Sequence, residues 1–187
     1  MVDLSLWQSV GPPPPPGGSS PEPCSECGLS RWVELGGGLA EDSYHPNLDS
    51  RSGSTVDIMC DFETEPLPFH NDHATRIKAI HVIQHVSRDS AKRLLRESYR
   101  VLNSGGTLFL MLTDLDFIIT RLVADGYVDA WMNGLYHGPN FDDGFGCHKW
   151  AYSFHMIEQE LFQAGFSEVW HRGYYNRWDM KVEARKA

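Results

Sequence analysis

Two apolar runs separated by one amphipathic stretch restrict this chain more than any other feature. Residues 77–83 read IKAIHVI and residues 107–112 read TLFLML. Continuous apolar runs of this length mark strands buried on both faces, as in a parallel sheet covered by helices. Between them Ala91, Leu94, Leu95 and Leu102 recur at helical spacing and share one face. Ser87 or Asp89 stands where a side-chain oxygen accepts from first-turn amides, and Gly105 with Gly106 stands where such a helix would stop. Strand, helix, glycine turn and strand form a βαβ unit, whose right-handed crossover sets the two strands parallel. The expected class is α/β.

Shorter signals extend the pattern on both sides. Residues 32–35 form an apolar run that ends in Gly36, Gly37 and Gly38, and residues 56–60 form another. Residues 153–164 predict a helix capped by Ser153 and closed by Gly165, with Ile157, Leu161 and Ala164 on one face. Residues 168–170 and 180–183 then predict an antiparallel hairpin at a sheet edge. The chain of 187 residues suffices for one well-cored domain. Residues 1–29, with prolines at 12–16 followed by Gly and Ser, predict a loosely packed arm; residues 30–187 predict the domain. Residues 113–150 interrupt the pattern with Phe117, Tyr127, Trp131, Tyr136, Phe141, Phe145 and Trp150, and predict an insertion covering a ligand.

The formal net charge of -9 argues against a nucleic-acid partner, which needs clustered Lys and Arg; the basic stretch from Lys92 to Arg100 reads as a solvated helix face. No apolar run is long enough to cross a bilayer and no secretory pattern opens the chain, so a cytoplasmic location and no membrane partner are expected. Cys24 and Cys27 form a C-x-x-C pair. A zinc site there would need two more ligands, for which Cys147 and His148 are the candidates; lacking a second C-x-x-C, the pair reads as free thiols and no metal is expected.

Three groups of residues have the makings of a ligand site. Gly36, Gly37 and Gly38, after Glu34 at a strand end, allow backbone amides to approach a ligand, although a bare tight turn needs the same residues. A dinucleotide fingerprint would require a third glycine at position 41, which is Glu41, so a nicotinamide-dependent oxidoreductase is disfavoured. Asp49 follows Asn47 and Leu48 at the end of a second strand, where a carboxylate accepts from ribose hydroxyls or is merely a solvated loop residue. Asp61 and Phe62 close the third strand, where a carboxylate beside a ring suits an adenine.

Taken in order, these segments resemble a family. Glu34-Leu35-Gly36-Gly37-Gly38, Asn47-Leu48-Asp49 and Asp57-Ile58-Met59-Cys60-Asp61-Phe62 look like its first three cofactor motifs. Pro66-Leu67-Pro68-Phe69, His81-Val82-Ile83-Gln84-His85 and the segment from Tyr99 to Leu108 follow in the same order, and residues 147–153 and 164–166 also look like it. Together they are similar to compact class I S-adenosylmethionine-dependent methyltransferases, from about Trp32 onward. The resemblance implies a Rossmann-like, seven-stranded, mostly parallel sheet with helices on both faces and the last strand antiparallel. It implies S-adenosylmethionine as cofactor, its methionine part in the glycine turn, its ribose on Asp49 and its adenine on Asp61 with Phe62. The sequence departs from the family in its short span between Gly38 and Asn47, in Gly37, and in Gln84, where many relatives carry Glu.

His81 and His85 are the catalytic candidates, because imidazole titrates near neutrality and can take a proton from an acceptor hydroxyl. A hydrogen-bonded structural histidine is the alternative. As a metal pair they lack the Glu of an H-E-x-x-H motif and a third ligand. His148, Lys149 and Tyr152 are candidates to line an acceptor pocket, or are loop residues. The expected function is methyl transfer to an oxygen or nitrogen of a small-molecule acceptor, with a sugar or glycan suited to the aromatic insertion. The alternative is a methyltransferase-like binding or scaffold protein without catalysis. Neither the acceptor nor the oligomeric state is legible in the sequence.

Overall fold

The computed structural model describes residues 22–38, 44–126, 135–136, 147–176 and 178–187. The elements in chain order are β1 (Trp32–Leu35), β2 (Asn47–Asp49), β3 (Ile58–Met59), β4 (Ala74–Ile80), α1 (Arg88–Val101), β5 (Leu102–Thr113), α2 (Leu115–Asp125), α3 (Phe154–Ala164), β6 (Glu168–Tyr174) and β7 (Asp179–Arg185). The strands form one sheet in the order β3-β2-β1-β4-β5-β7-β6. From β3 to β5 neighbours are parallel, and β7 runs antiparallel to both β5 and β6. Order reverses at β1, which has β2 on one side and β4 on the other, so the crevice beyond its carboxyl end is a topological switch point.

The βαβ unit forms where its apolar pattern requires. Ile77 in β4 and Leu108, Leu110 and Leu112 in β5 are almost inaccessible, as central parallel strands must be. Helix α1 buries Ala91, Leu94, Leu95, Ser98 and Val101. Its N-cap is Ser87, whose side chain accepts from Ser90 N, an arrangement worth about 1 kcal/mol. Leu102 leaves the expected helical face and opens β5, so Gly105 and Gly106 lie inside the strand instead of ending the helix. β4 also sits three residues earlier than residues 77–83. His81 takes a left-handed φ of +54°, which stops the strand, and Val82 and Ile83 pack into the core from the turn that follows.

Helix α3 is capped by Ser153, which accepts from Met156 N, and closes on Gly165 in the left-handed region at φ +114°. A Cβ on Gly165 would lie 3.0 Å from Tyr99 Cζ, so the glycine also lets α3 end against α1. Helices α1 and α3 pack on each other and on β5–β7, covering one face of the sheet. The connections from β2 to β3 and from β3 to β4 contain turns and no helix. Among the described residues no helix is long and apolar enough to cross a membrane. The proline run at 12–16 and Tyr127, Trp131, Phe141 and Phe145 of the aromatic insertion lie outside the described residues.

Candidate active site

The glycine turn leaves β1 at the switch point. Gly36 and Gly38 have φ of +68° and +54°, which only glycine adopts without strain. A Cβ on Gly36 would meet Val82 Cγ2 at 2.4 Å, so the turn and the start of the β4–α1 connection are in contact across the crevice. Gly37 N donates to Asn47 Oδ1 (3.1 Å) and Gly38 N donates to Asp49 Oδ2 (3.1 Å), which ties the turn to the tip of β2. Asp49 is almost wholly buried and its other oxygen accepts from Arg51 N at 2.9 Å. Each carboxylate oxygen accepts two hydrogen bonds, so Asp49 retains acceptor capacity toward a hydroxyl.

Glu34 is buried and paired within the sheet. Its carboxylate accepts from Lys78 Nζ at 2.8 Å and Tyr44 N at 3.2 Å, and Glu34 and Lys78 are register partners on β1 and β4. Its part in the site is to fix the strand from which the turn departs. Asp61 accepts from Glu63 N and Thr64 Oγ1, both at 2.9 Å, and so closes its own turn at the end of β3. Phe62, expected beside an adenine, packs its ring with the core residues and is as little exposed as Asp49.

At the carboxyl ends of β4 and β5 lies a second group of polar side chains. Gln84 is buried; its Nε2 lies 2.7 Å from His148 Nε2 and 3.3 Å from His81 Nδ1, and its Oε1 accepts from Thr113 N at 3.4 Å. With the amide oxygen committed to Thr113, the amide N–H groups donate to both rings. The hydrogen-bond network therefore assigns His81 the tautomer with its proton on Nε2. His81 Nε2 faces Asp179 Oδ2 at 3.5 Å. Burial alone would raise the Asp179 carboxyl, but hydrogen bonds from His81, Asn176 and Thr113 hold it below the usual range. His148 is held neutral, pushed down to about 4 by burial first and then by the neighbouring His85. His85 packs edge-on against His148 with ring centroids 4.7 Å apart, and its Nδ1 lies 3.3 Å from the Cys147 carbonyl.

Thus His81, His85 and His148 come together, and a small pocket opens between Gln84, Thr113, His148 and Trp150. Tyr152 is a correction: it is wholly buried in the core, pairs with Asp114 through a bridge between β5 and α2, and is not among the described residues that line this pocket. Lys149 turns away to Glu63, 2.6 Å from its carboxylate. Asp179 was not legible as a site residue, because it lies 98 positions beyond His81 and only the β5–β7 pairing delivers it. The zinc ligand set considered from sequence is corrected too: the side chains facing Cys24 and Cys27 are His70 and His73.

Residues 45–110 match the family model described as a methyltransferase domain. A methyltransferase of Thermotoga maritima, described as S-adenosylmethionine-dependent and a possible histamine N-methyltransferase, superimposes with a TM-score of 0.56 at 17% identity, over 84% of this chain and 82% of that one. The fold is thus shared with a solved S-adenosylmethionine-dependent methyltransferase. An S-adenosylmethionine-dependent methyltransferase from Archaeoglobus fulgidus gives a TM-score of 0.60 at 12% identity, covering 83% of this chain and 86% of that one. Human N-acetylserotonin methyltransferase in complex with S-adenosylmethionine gives 0.53 at 16% identity, covering 83% of this chain and 47% of that longer one. At these identities the likeness is one of fold. The sequence matches none of the curated proteins.

Proposed function

We propose that the chain is an S-adenosylmethionine-dependent methyltransferase that moves a methyl group to an oxygen or nitrogen of a small acceptor, with a sugar or other ring-bearing hydroxyl compound as the first class to test. The observation that supports this most is the pairing of two features on one rim: amides of a glycine turn joined to a buried carboxylate on β2, and a histidine cluster at the tips of β4 and β5. The donor and acceptor set suits the cofactor. Gly36 to Gly38 leave no side chain over the turn, and Asp49 offers lone pairs to ribose hydroxyls. Asp61 would meet the adenine amino group only by sharing oxygens with its own turn.

When bound, the cofactor supplies a sulfonium methyl group for in-line displacement. The chain has two tasks, to orient the acceptor and to hold its proton. His81 suits the second, since Asp179 stands against its Nε2–H and would stabilise the imidazolium formed when Nδ1 takes a proton in place of the Gln84 hydrogen bond. His148, neutral at physiological pH, accepts hydrogen bonds and stores no proton. His85 supports His148 from the side.

Titration calorimetry with S-adenosylhomocysteine tests the reading. Binding by the native chain that weakens at least about tenfold in Asp49→Asn, as the loss of a charged hydrogen-bond acceptor requires, supports it. Absence of binding to the native chain overturns it. Binding without methyl transfer to a panel of hydroxyl and amine acceptors would favour the binding-module alternative.

A further inference from the structure

The amino ends of β1 and β4 are neighbours, and the loops that enter them bring four metal-ligand side chains together at the end of the strands opposite the glycine turn. Cys24 and Cys27 lie in the turn before β1, and His70 and His73 in the loop leading into β4. Their ligand atoms all fall within 4.8 Å of one another. Cys24 Sγ is 3.1 Å from His70 Nε2, and Cys27 Sγ is 3.6 Å from His73 Nδ1. A tetrahedral zinc ion with Zn–S of about 2.3 Å and Zn–N of about 2.0 Å would set its ligand atoms roughly 3.3–3.8 Å apart. We propose that Cys24, Cys27, His70 and His73 form a structural zinc site that clamps the segment before β1 to the β3–β4 connection.

Three independent details support the site. First, both histidines turn their other nitrogen to a backbone carbonyl: His70 Nδ1–H donates to Asn71 O at 2.7 Å and His73 Nε2–H to Ser30 O at 3.0 Å. Those bonds leave an unprotonated nitrogen toward the cysteines on each ring, the arrangement by which outer partners orient metal-bound imidazoles. Second, the cysteine turn has a shape that wraps an ion. Gly28 N donates to Cys24 O, Gly28 takes a φ of +73°, and the amides of Glu26 and Cys27 aim at the Cys24 sulfur. Third, Cys24 and His73 are buried, although residues up to 29 read as a loose arm from sequence. Nothing apolar of any size accompanies Cys24 in the turn at 24–28, so the polar cluster itself anchors it.

The donor set selects the ion. Two thiolates and two imidazoles in closed tetrahedral array suit zinc, which has no redox chemistry and leaves no open position for catalysis here. Loading displaces the two thiol protons to solvent, Zn²⁺ plus two R–SH giving Zn(SR)₂ plus two H⁺, with the histidines binding as neutral rings. The site lies away from the histidine cluster, so its role is to hold the fold where the β2–β3 and β3–β4 connections carry no helices.

The full chain, purified without chelator, is tested by elemental analysis for zinc and by replacement with cobalt(II). About one zinc per chain, a visible cobalt spectrum of a tetrahedral sulfur–nitrogen site, and zinc content below about a tenth in Cys24→Ser/Cys27→Ser but unchanged in Cys147→Ser are expected. Zinc removal should lower Tm by about 5–10 °C, reversed by adding zinc alone. The proposal fails if the native chain takes up no zinc after incubation with the metal, if cobalt gives no thiolate band, or if the double variant keeps its zinc. None of these measurements involves the methyl donor, so the outcome is separate from that of the proposed transferase activity.

Discussion

Lys78 Nζ lies 2.8 Å from Glu34 Oε2 on the adjacent strand, and both side chains are almost fully buried. Tyr44 covers the ammonium at 4.5 Å from its ring centroid and donates its own amide to the same carboxylate. A buried pair of this kind costs more to break than it contributes over an apolar pair. Lys78→Met is expected to destabilise the domain by about 3–5 kcal/mol, since Glu34 would be left charged and buried. The double variant Glu34→Leu/Lys78→Met should recover most of that loss. Urea unfolding of both variants checks the pair; equal destabilisation in single and double variants would refute it.

Gly36 is constrained twice, by a φ of +68° and by Val82 Cγ2 2.4 Å from where a Cβ would stand. Gly36→Ala should cost about 2–3 kcal/mol, the sum of left-handed strain and overpacking. Val82→Ala placed on the same chain should return the overpacking part and leave the strain. A double-mutant cycle by chemical denaturation that gives simple additivity would show that turn and connection do not touch.

His148 is neutral in the folded protein down to about pH 4, while an unfolded histidine protonates near 6.5. Between those values the unfolded chain binds a proton that the native state does not. The contribution of His148 is therefore present above pH 6.5 and lost as pH falls toward 4. Thermal unfolding should show Tm declining across that window. Gln84→Glu puts a carboxylate against His148 and favours its protonated form, so the variant should flatten or reverse the decline. An unchanged profile would remove Gln84 from the network.

Glu63 lies at the other extreme. Burial would raise its carboxyl, but hydrogen bonds from Lys149, Ser90 and Ser87 outweigh that and draw it down to about 2. A depressed folded value means stability that is present above about pH 4.5 and lost as pH falls toward 2. Lys149→Met should remove up to about 1 kcal/mol at neutral pH, the ordinary worth of a partly exposed pair. The gap between native and variant should close on acidification through that window, which a pH series of unfolding curves would measure.

The fold was readable wherever burial follows a period. Helices α1 and α3 and the buried strands announce themselves through spacing and caps, and Asp49 falls at the end of β2 as expected. Boundaries went astray where backbone conformation overrides hydrophobicity: His81 ends β4 by its positive φ, though Val82 and Ile83 continue the apolar run. Aromatic residues were ambiguous for a related reason. Phe62 and Tyr152 suit a binding surface by type, and only packing reveals them as core. Gln84 departs from the Glu of many relatives, and only the structure shows that its amide joins two histidines to the end of β5. The H-x-x-H that answers the C-x-x-C lies 46 residues further on, and nothing local links the two until β1 and β4 pair.

Asn47, Thr55 and Asp57 knit the strand tips near Gly38 largely by side chains bonded to backbone groups, beside β2–β3 and β3–β4 connections that lack helices. Seams made this way part locally at far lower cost than an interlocked apolar layer. The rim that would grip a nucleoside should thus unzip more readily than the apolar core at β4 and β5, and an occupant would act as its missing mortar. Amide hydrogens of Gly37 and Gly38 should accordingly exchange faster than those of β5, and slow the most when adenosine-bearing ligands arrive.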